Sequence, residues 1–200
     1  MPGMARPRKF EEDQAIEAAM LAFWKAGYEA TSTQDLCTAT GLGRSSIYNT
    51  FASKHDLFEK ALRHYMDERN AVLAELMNGD LPVKEKVRTV LWWAVEPGPG
   101  EPLGCLVVNS LVELAPRDPE IAELLRRDND KRLRTMRAAF ELGRSRDELG
   151  ADQDPLALAH FVVATVSGLR VAARGGADRA ALESIARTAL SVFDFFVPAF

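Results

Sequence analysis

The chain has 200 residues, 47% of them hydrophobic and 27% charged, with a formal net charge of −4 at pH 7. This composition indicates a globular protein with a sizeable core in one or two domains, and it excludes a generally basic nucleic-acid-binding domain, so that any such binding must rest on local features. No predicted membrane segment or secretory signal stands out, and we expect a cytoplasmic protein.

Strand signals are nearly absent, and apolar residues recur at helical spacing, which predicts an all-α protein of about nine helices. The first helix is predicted from about Asp13 to Lys25, because one apolar stripe runs along it and Gly27 follows at the position of a C-terminal cap. The members of the stripe are Ile16, Ala19, Met20 and Phe23.

The second and third helices are short and closely spaced. Ser32 is expected to cap the second helix, with Asp35 reaching back as in a capping box, and Gly41 ends it. The third helix is predicted from about Arg44 to Phe51, with Ile47 and Phe51 facing inward. Three short helices with a Gly-x-Gly turn between the second and third describe a helix-turn-helix unit.

Six further helices are predicted after this unit from capping residues and breakers. A Gly-Pro-rich loop runs from Pro97 to Pro102, between the second and third of the six. The predicted spans are 53–77, 82–95, 103–115, 118 to 143 or 149, 154–174 and 178–197.

Residues 15–62 resemble the N-terminal domain of the TetR family of bacterial transcriptional repressors. The residues that carry the resemblance are Phe23, Gly27-Tyr28, Thr31 to Thr33, Asp35-Leu36-Cys37, Gly41-Leu42, Tyr48 with Phe51, and Ser53-Lys54. There are three departures from the family pattern: Gly43 replaces a common Ser or Thr, Thr50 stands where His is frequent, and Cys37 occupies an Ala position. The resemblance implies a helix-turn-helix DNA-binding domain over residues 1–56 and a larger helical ligand-binding and dimerisation domain over 57–200, with the fourth helix, from 53, as connector.

The third helix is expected to enter the DNA major groove. Arg44 stands at its N-terminal end, where a guanidinium can read a guanine. The candidate base contacts are Gln34, Arg44, Ser45, Ser46, Asn49 and Thr50, and the candidate phosphate contacts are Thr33, Tyr48 and Lys54. Residues 1–12 are expected to form a basic arm, whose Arg6, Arg8 and Lys9 can reach a phosphate strand or a minor groove.

The resemblance implies that the last two helices pair with those of a second subunit in a homodimer. The apolar stripes of these helices are equally suited to a monomer core. The predicted interface residues are Phe161, Thr165, Gly168, Leu169, Leu182, Ala186, Ala189 and Phe193.

The family also implies a small-molecule effector that releases the operator. The expected effector is apolar or aromatic, because the candidate pocket residues are largely apolar. They are Trp92, Trp93, Met136, Phe140, His160 and Phe161.

Cys105 is a second candidate switch. Its segment, PLGCLVVNSL, resembles a subgroup of the family in which some members respond to electrophiles or oxidants. A thiol near a helix N-terminus can be reactive, although a small buried residue has the same appearance in sequence.

Two other classes of function compete with a regulator. For an enzyme we find no catalytic constellation: His55, His64 and His160 have no metal-ligand spacing, and Gly41-x-Gly43 lacks the preceding strand of a dinucleotide site. The two cysteines, Cys37 and Cys105, form no disulfide or zinc pattern, and no cofactor or metal is predicted. A helical interaction module without DNA binding is the other alternative, because fold alone does not determine function.

Overall fold

The computed structural model describes the backbone of residues 8–194 and the side chains from residue 12 onward. Within these residues there are nine α-helices, one 3-10 turn and no strand, which confirms the predicted all-α class. The helices are α1 Arg8–Ala26, α2 Thr33–Thr40, α3 Arg44–Thr50, α4 Lys54–Asn78, α5 Val83–Val95, α6 Leu106–Glu113, α7 Pro119–Ser145, α8 Pro155–Arg174 and α9 Arg179–Leu190, and the 3-10 turn is Ser191–Phe193.

The ends of α2 are fixed by the residues that the sequence indicated. The Ser32 Oγ accepts a hydrogen bond from the Asp35 amide at 3.2 Å, and the Asp35 carboxylate accepts one from the Ser32 amide at 2.8 Å. At the other end Gly41 has φ +70°, the left-handed conformation that a side chain disfavours. The turn into α3 is therefore fixed by local interactions.

Three helix ends differ from the prediction. The first helix begins at Arg8, directly after Pro7 and not at Asp13, because no breaker interrupts the intervening residues. The sixth begins at Leu106 and not at Leu103, because Gly104 has φ +94° and Cys105 is extended, with Cys105 as the N-cap. The last helix gives way to the 3-10 turn after Leu190, and its predicted end at Val197 lies outside the described residues.

The core of the helix-turn-helix unit continues into the C-terminal part of the chain. Phe23 of α1 and Phe58 of α4 meet edge to face, with ring centroids 5.0 Å apart. Leu106 of α6 and Ile121 of α7 are buried in the same cluster. The first three helices therefore share one hydrophobic core with α4, α6 and the start of α7, and a boundary at residue 56 separates no independent core.

A second core lies between α5, α7, α8, α9 and the C-terminal half of α4. Phe140 of α7 and Phe193 of the 3-10 turn approach each other there, with ring centroids 5.8 Å apart. The long helix α4 contributes to both cores, with Phe58 to the first and Leu73 to the second. It is the element that connects the two parts of the molecule.

Polar contacts hold α6 against the loop that follows α1. The Glu113 carboxylate accepts hydrogen bonds from the backbone amides of Tyr28, at 3.0 Å, and Glu29, at 2.8 Å. Asn109, one turn earlier on α6, donates to the Trp24 carbonyl at 3.4 Å. These contacts join the helix-turn-helix unit of α1, α2 and α3, called the reading unit below, to the C-terminal domain at the loop between α1 and α2.

We predict that Glu113→Ala destabilises the protein by about 1–3 kcal/mol, because the partly buried Tyr28 amide and the exposed Glu29 amide lose a charged acceptor. The measurement is the free energy of unfolding from urea titration followed by circular dichroism. Glu17→Ala, which removes an exposed carboxylate from α1, is the control and should change this free energy by less than about 0.5 kcal/mol. Equal effects of the two substitutions would contradict the structural role of Glu113.

Candidate nucleic-acid interface and ligand cavity

The outer face of α3 is polar and open to solvent. Ile47 and the following Phe51 are buried and fix the helix to the core, as predicted. The exposed residues of α3 are Arg44, Ser45, Ser46, Tyr48 and Asn49. The seven-residue helix therefore presents a short row of hydrogen-bonding groups, with a guanidinium at its N-terminal end.

The candidate phosphate contacts surround this face. The hydroxyl oxygens of Thr33 and Tyr48 lie 3.2 Å apart, and Tyr48 is 43% exposed. Lys54 places its ammonium 4.4 Å from the centre of the Tyr28 ring, at the N-terminal end of α4. The arrangement brings donors from α2, α3 and α4 to one side of the unit, where an anion is favoured by the helix ends.

The remaining candidate DNA contacts occupy different environments. Gln34 is exposed on α2, whereas Thr50 is half-buried at the end of α3 and is less accessible than its neighbours. In the predicted basic arm, Arg6 lies outside the described residues. Arg8 and Lys9 belong to the first turn of α1, so the prediction that they precede the helix is wrong.

One acid lies close to this face. Hydrogen bonds from the Ser32 hydroxyl and then the Ser32 amide lower the pKa of Asp35 below its ordinary value, and Lys54 adds a smaller effect in the same direction. Asp35 therefore stays ionised and is occupied in capping α2. Its charge reduces the positive potential beside Lys54, so the electrostatic attraction of this face depends on only a few cations.

The C-terminal domain encloses a cavity of about 270 Å³ between α4, α5, α7 and α8. Of the six candidate pocket residues, Trp93 and Met136 line this cavity and the other four do not. Phe140 is fully buried in the core, Trp92 packs against that core, and His160 and Phe161 face outward on α8. The sequence did not separate cavity-lining from other positions here, because both faces of these helices carry apolar or aromatic residues.

The cavity wall also contains charged residues that sequence reasoning missed. Arg69 of α4 donates to the Glu101 carboxylate at 2.5 Å, and Arg132 of α7 pairs with Asp128. Burial raises the pKa of Glu101, but the hydrogen bond and charge of Arg69 outweigh it and hold that pKa below its ordinary value. The carboxylate is therefore ionised at neutral pH. No short sequence signal marks these residues, because they come from separate helices.

Arg69 connects the cavity to the reading unit. Its guanidinium carbon lies 5.2 Å from the centre of the Tyr65 ring and 5.5 Å from the centre of the Trp24 ring. Trp24 belongs to α1 and is buried, and its carbonyl accepts hydrogen bonds from Asn109 and from Arg174 of α8. Arg69 therefore contacts both the cavity and the first helix of the helix-turn-helix unit.

Cys105 lies on the same cavity wall. Its Sγ accepts a hydrogen bond from the Tyr65 hydroxyl at 3.5 Å. Burial, followed by the neighbouring Cys105 thiol, raises the pKa of Tyr65 well above its ordinary value, so the phenol remains protonated. The other cysteine, Cys37, is half-buried against the core of the reading unit.

A second link between the two parts of the molecule joins α4 to α7. The His55 ring and the Asp118 carboxylate lie 2.7 Å apart. Burial raises the pKa of Asp118, but hydrogen bonds from the Ile121 amide and His55 lower it below its ordinary value. Donor atoms of His55, Glu59 and Glu120 lie within 4.8 Å of one another, a spacing that suits a metal ion, but Glu59 is already paired with Arg63.

The predicted dimer residues divide into two groups. Phe161, Thr165 and Gly168 lie on the accessible side of α8. The other five pack in the protomer's own core and leave little surface for a partner: Leu169, Leu182, Ala186, Ala189 and Phe193. Sequence reasoning did not assign Val171, which is 56% exposed, or Ile185, which is 45% exposed.

Helix α8 is unusually apolar for a helix so little covered. It is long and apolar enough to cross a membrane by length and composition, and only 28% of its most apolar window is buried. It nevertheless packs against α5, α7 and α9 as part of the second core. Its exposed apolar side chains include Leu156, Phe161 and Val171.

Family models match both parts of the chain. The model described as "Bacterial regulatory proteins, tetR family" matches residues 15–61, and the model described as "Tetracyclin repressor-like, C-terminal domain" matches residues 85–189. Among curated proteins, the chain is 32% identical to the uncharacterized HTH-type transcriptional regulator YezE of Bacillus subtilis, over 96% of this chain and 100% of YezE. It is 30% identical to the HTH-type transcriptional repressor ComR of Escherichia coli, over 94% and 91% of the two chains.

Solved structures show the same architecture. A cysteine mutant of the TetR family transcriptional regulator CifR, complexed with 26-bp double-strand operator DNA, aligns with a TM-score of 0.81 and 30% identity. The alignment covers 94% of this chain and 98% of CifR. The reduced form of NemR from Escherichia coli aligns with a TM-score of 0.82 at 17% identity, a level that shows a shared fold.

Proposed function

The chain belongs to the tetR family of bacterial regulatory proteins, and we propose that it is a repressor that binds a palindromic operator as a homodimer and is released by a small-molecule effector. The observation that carries the proposal is the outer face of α3, where Arg44, Ser45 and Asn49 stand exposed on a helix anchored by buried residues. A helix of this kind fits the major groove, and its N-terminal residues reach base edges.

In this proposal the contacts have two roles. Arg44, with Ser45, Ser46, Asn49 and Gln34, reads bases, and the half-buried Thr50 contributes at the edge of that surface. Thr33, Tyr48 and Lys54 bind phosphates and fix the orientation of α3 on the duplex. The chain as a whole is acidic, with a net charge of −4. Binding therefore depends on this local set of donors.

The dimer is proposed to form through the accessible side of α8 and the neighbouring part of α9. Phe161, Val171 and Ile185 are large apolar residues exposed there, and Gly168 allows a partner helix to approach closely. A palindromic operator requires such a dimer because its half-sites lie about 34–36 Å apart or a multiple of that distance.

Effector release is proposed to act through the cavity and Arg69. The Arg69 side chain lines the cavity and contacts Trp24 of α1. Glu113 of α6 binds the loop that follows α1. A ligand that favours one position of Arg69 favours one position of α1 relative to α4. The free energy of operator binding then becomes less favourable by at most the difference in the free energy of ligand binding between the two arrangements of the reading units.

A second candidate function is electrophile sensing through Cys105, which the position of its thiol on the cavity wall favours. An α,β-unsaturated carbonyl compound in the cavity would accept the sulfur at its β-carbon. The carbon–sulfur bond forms as the carbon–carbon π bond breaks, and the thiol proton passes to the α-carbon, so no oxidant is needed. The adduct would fill the space beside Tyr65 and Arg69 and act as a permanently bound effector.

The test of DNA recognition begins with an operator obtained by selecting random duplexes on the wild-type protein. We predict that Arg44→Ala loses about 1–3 kcal/mol of discrimination between the operator and a scrambled duplex. We predict that Lys54→Ala weakens binding to both duplexes and reduces the slope of log affinity against log salt by about 1. Fluorescence anisotropy at several salt concentrations measures both quantities.

Arg63→Ala is the matched control, because Arg63 is an exposed arginine on α4 paired with Glu59. It should leave affinity and salt slope close to wild type. Absence of duplex binding by the folded wild-type protein at low salt would instead favour a helical interaction module. Unchanged binding in both test variants would remove α3 and the start of α4 from the interface.

The proposed dimer face is tested by Phe161→Glu combined with Ile185→Glu. Placing carboxylates on an apolar contact should raise the dimer dissociation constant by at least about 100-fold, equivalent to roughly 3 kcal/mol. Light scattering after size-exclusion chromatography measures the molar mass. Leu142→Glu, at an exposed apolar residue of α7, is the control and should remain dimeric. A dimeric double variant would place the interface elsewhere.

Electrophile sensing is tested with N-ethylmaleimide, an α,β-unsaturated carbonyl compound. We expect one adduct at Cys105 by intact-protein and peptide mass spectrometry, and loss of operator binding with the same time course. Cys105→Ser should bind operator normally and keep it in the presence of the reagent, whereas Cys37→Ser should respond like wild type. Release that persists in the Cys105→Ser variant would reject this function.

A further inference from the structure

The charges around the cavity do not balance. Three arginines line it. Arg69 and Arg132 are each paired with a carboxylate, whereas Arg170 on α8 has no carboxylate within 4.0 Å among the residues that the structure describes. The pairs are Arg69 with Glu101 and Arg132 with Asp128, and the remaining acid of the wall, Glu96, is paired with Arg179, which lies outside the lining. The wall therefore carries one uncompensated positive charge.

The position of Arg170 is specific. The side chain is half-buried, and its only hydrogen bond within the described residues is a long one, 3.5 Å, from Nη1 to the Gly104 carbonyl. A guanidinium that is partly removed from water and has no anionic partner is costly for the folded protein. An anion in the cavity would offset that cost and would bind there more strongly than at an exposed arginine.

Two further donors on this wall have no partner. The Nε atoms of Arg69 and Arg132 are buried and make no hydrogen bond with the part of the chain that the structure describes. Nearly all buried polar groups in proteins are hydrogen-bonded, so such donors require an explanation. Arg170 contacts the Gly104 carbonyl, and the next residue, Cys105, accepts a hydrogen bond from Tyr65, whose ring lies 5.2 Å from the Arg69 guanidinium carbon. Arg69 and Arg170 therefore lie at the same end of the cavity.

The rest of the wall is apolar. Val72 and Leu73 of α4, Val90 and Trp93 of α5, and Met136 of α7 face the same space. The volume of about 270 Å³ equals that of roughly nine water molecules at about 30 Å³ each, which fits a molecule the size of a substituted aromatic acid. The cavity thus combines an apolar body with a cationic end.

We propose that the effector is a monocarboxylate with an apolar, ring-sized body, whose carboxylate pairs with Arg170 and accepts from Arg69. This inference rests on the proposed function for the role of the cavity, and it replaces the purely apolar effector expected from sequence. One uncompensated charge matches one carboxylate, whereas a dianion would leave a negative charge in a largely apolar space. The carboxylate also competes with Glu101 for Arg69, the residue that contacts Trp24 of α1.

The test compares 3-phenylpropionate with 3-phenylpropanamide, which have the same shape and differ in charge. Isothermal titration calorimetry of the full-length protein gives the dissociation constant for each. For wild type we expect the acid to bind at least about tenfold more tightly than the amide, which corresponds to roughly 1.4 kcal/mol. Arg170→Met should reduce this preference to less than about twofold, and Arg170→Lys, which keeps the charge, should retain part of it.

Arg134→Gln is the matched control, because it removes an exposed positive charge from α7 away from the cavity wall. It should preserve the preference for the acid, and circular dichroism should show every variant folded. Equal binding of acid and amide by wild type, binding of neither, or a preference that survives in Arg170→Met would each overturn the proposal.

Operator binding without any probe is measured in parallel by anisotropy. A protein that binds no duplex but prefers the acid through Arg170 would contradict the regulator and leave the carboxylate site intact. A protein that binds its operator but shows no acid preference would contradict only the ligand class. The two conclusions therefore fail separately.

Discussion

The shared core between the reading unit and the C-terminal domain is the constraint on which the rest of this structure depends. Leu106 of α6 and Ile121 of α7 are buried against the same cluster as Phe23 and Phe58. Without α6 this core would be open to water. Because the core is close-packed, the reading unit cannot change its orientation relative to the C-terminal domain unless the core side chains repack. Close-packed interfaces of this kind adopt discrete arrangements and do not deform continuously, which is what a switch between DNA-bound and released states requires.

Polar contacts around that core also hold the reading unit against the C-terminal domain. Glu113 fixes the loop after α1, and the pair of His55 and Asp118 fixes the start of α4 to the start of α7. Further along α4, Tyr65 and Arg69 reach the cavity. One helix therefore carries the proposed phosphate-contacting end, the shared core and the cavity wall along its length, so the proposed ligand site and the reading unit are joined by a single element.

The charged residues of the cavity change the chemistry expected of its ligand. An apolar effector would gain from Trp93 and Met136 but would leave Arg170 unpaired in a partly dry space. The pairing of Arg69 with Glu101 also places an exchangeable ion pair directly against Trp24. In the proposed mechanism the same wall therefore contains both the groups that select a ligand and Arg69, the group that connects ligand binding to α1.

The sequence by itself determined the all-α class, the ends of α2 and the buried side of α3. Capping at Ser32 and Gly41 and the inward turn of Ile47 and Phe51 are local, because they depend on residues within one or two helical turns. Only the tertiary structure decided which face of α8 and α9 is buried, because Leu169 and Phe161 are both apolar and periodicity cannot rank two apolar faces. It alone also decided the cavity, since Arg69, Arg132 and Arg170 are brought together from three helices far apart in the chain.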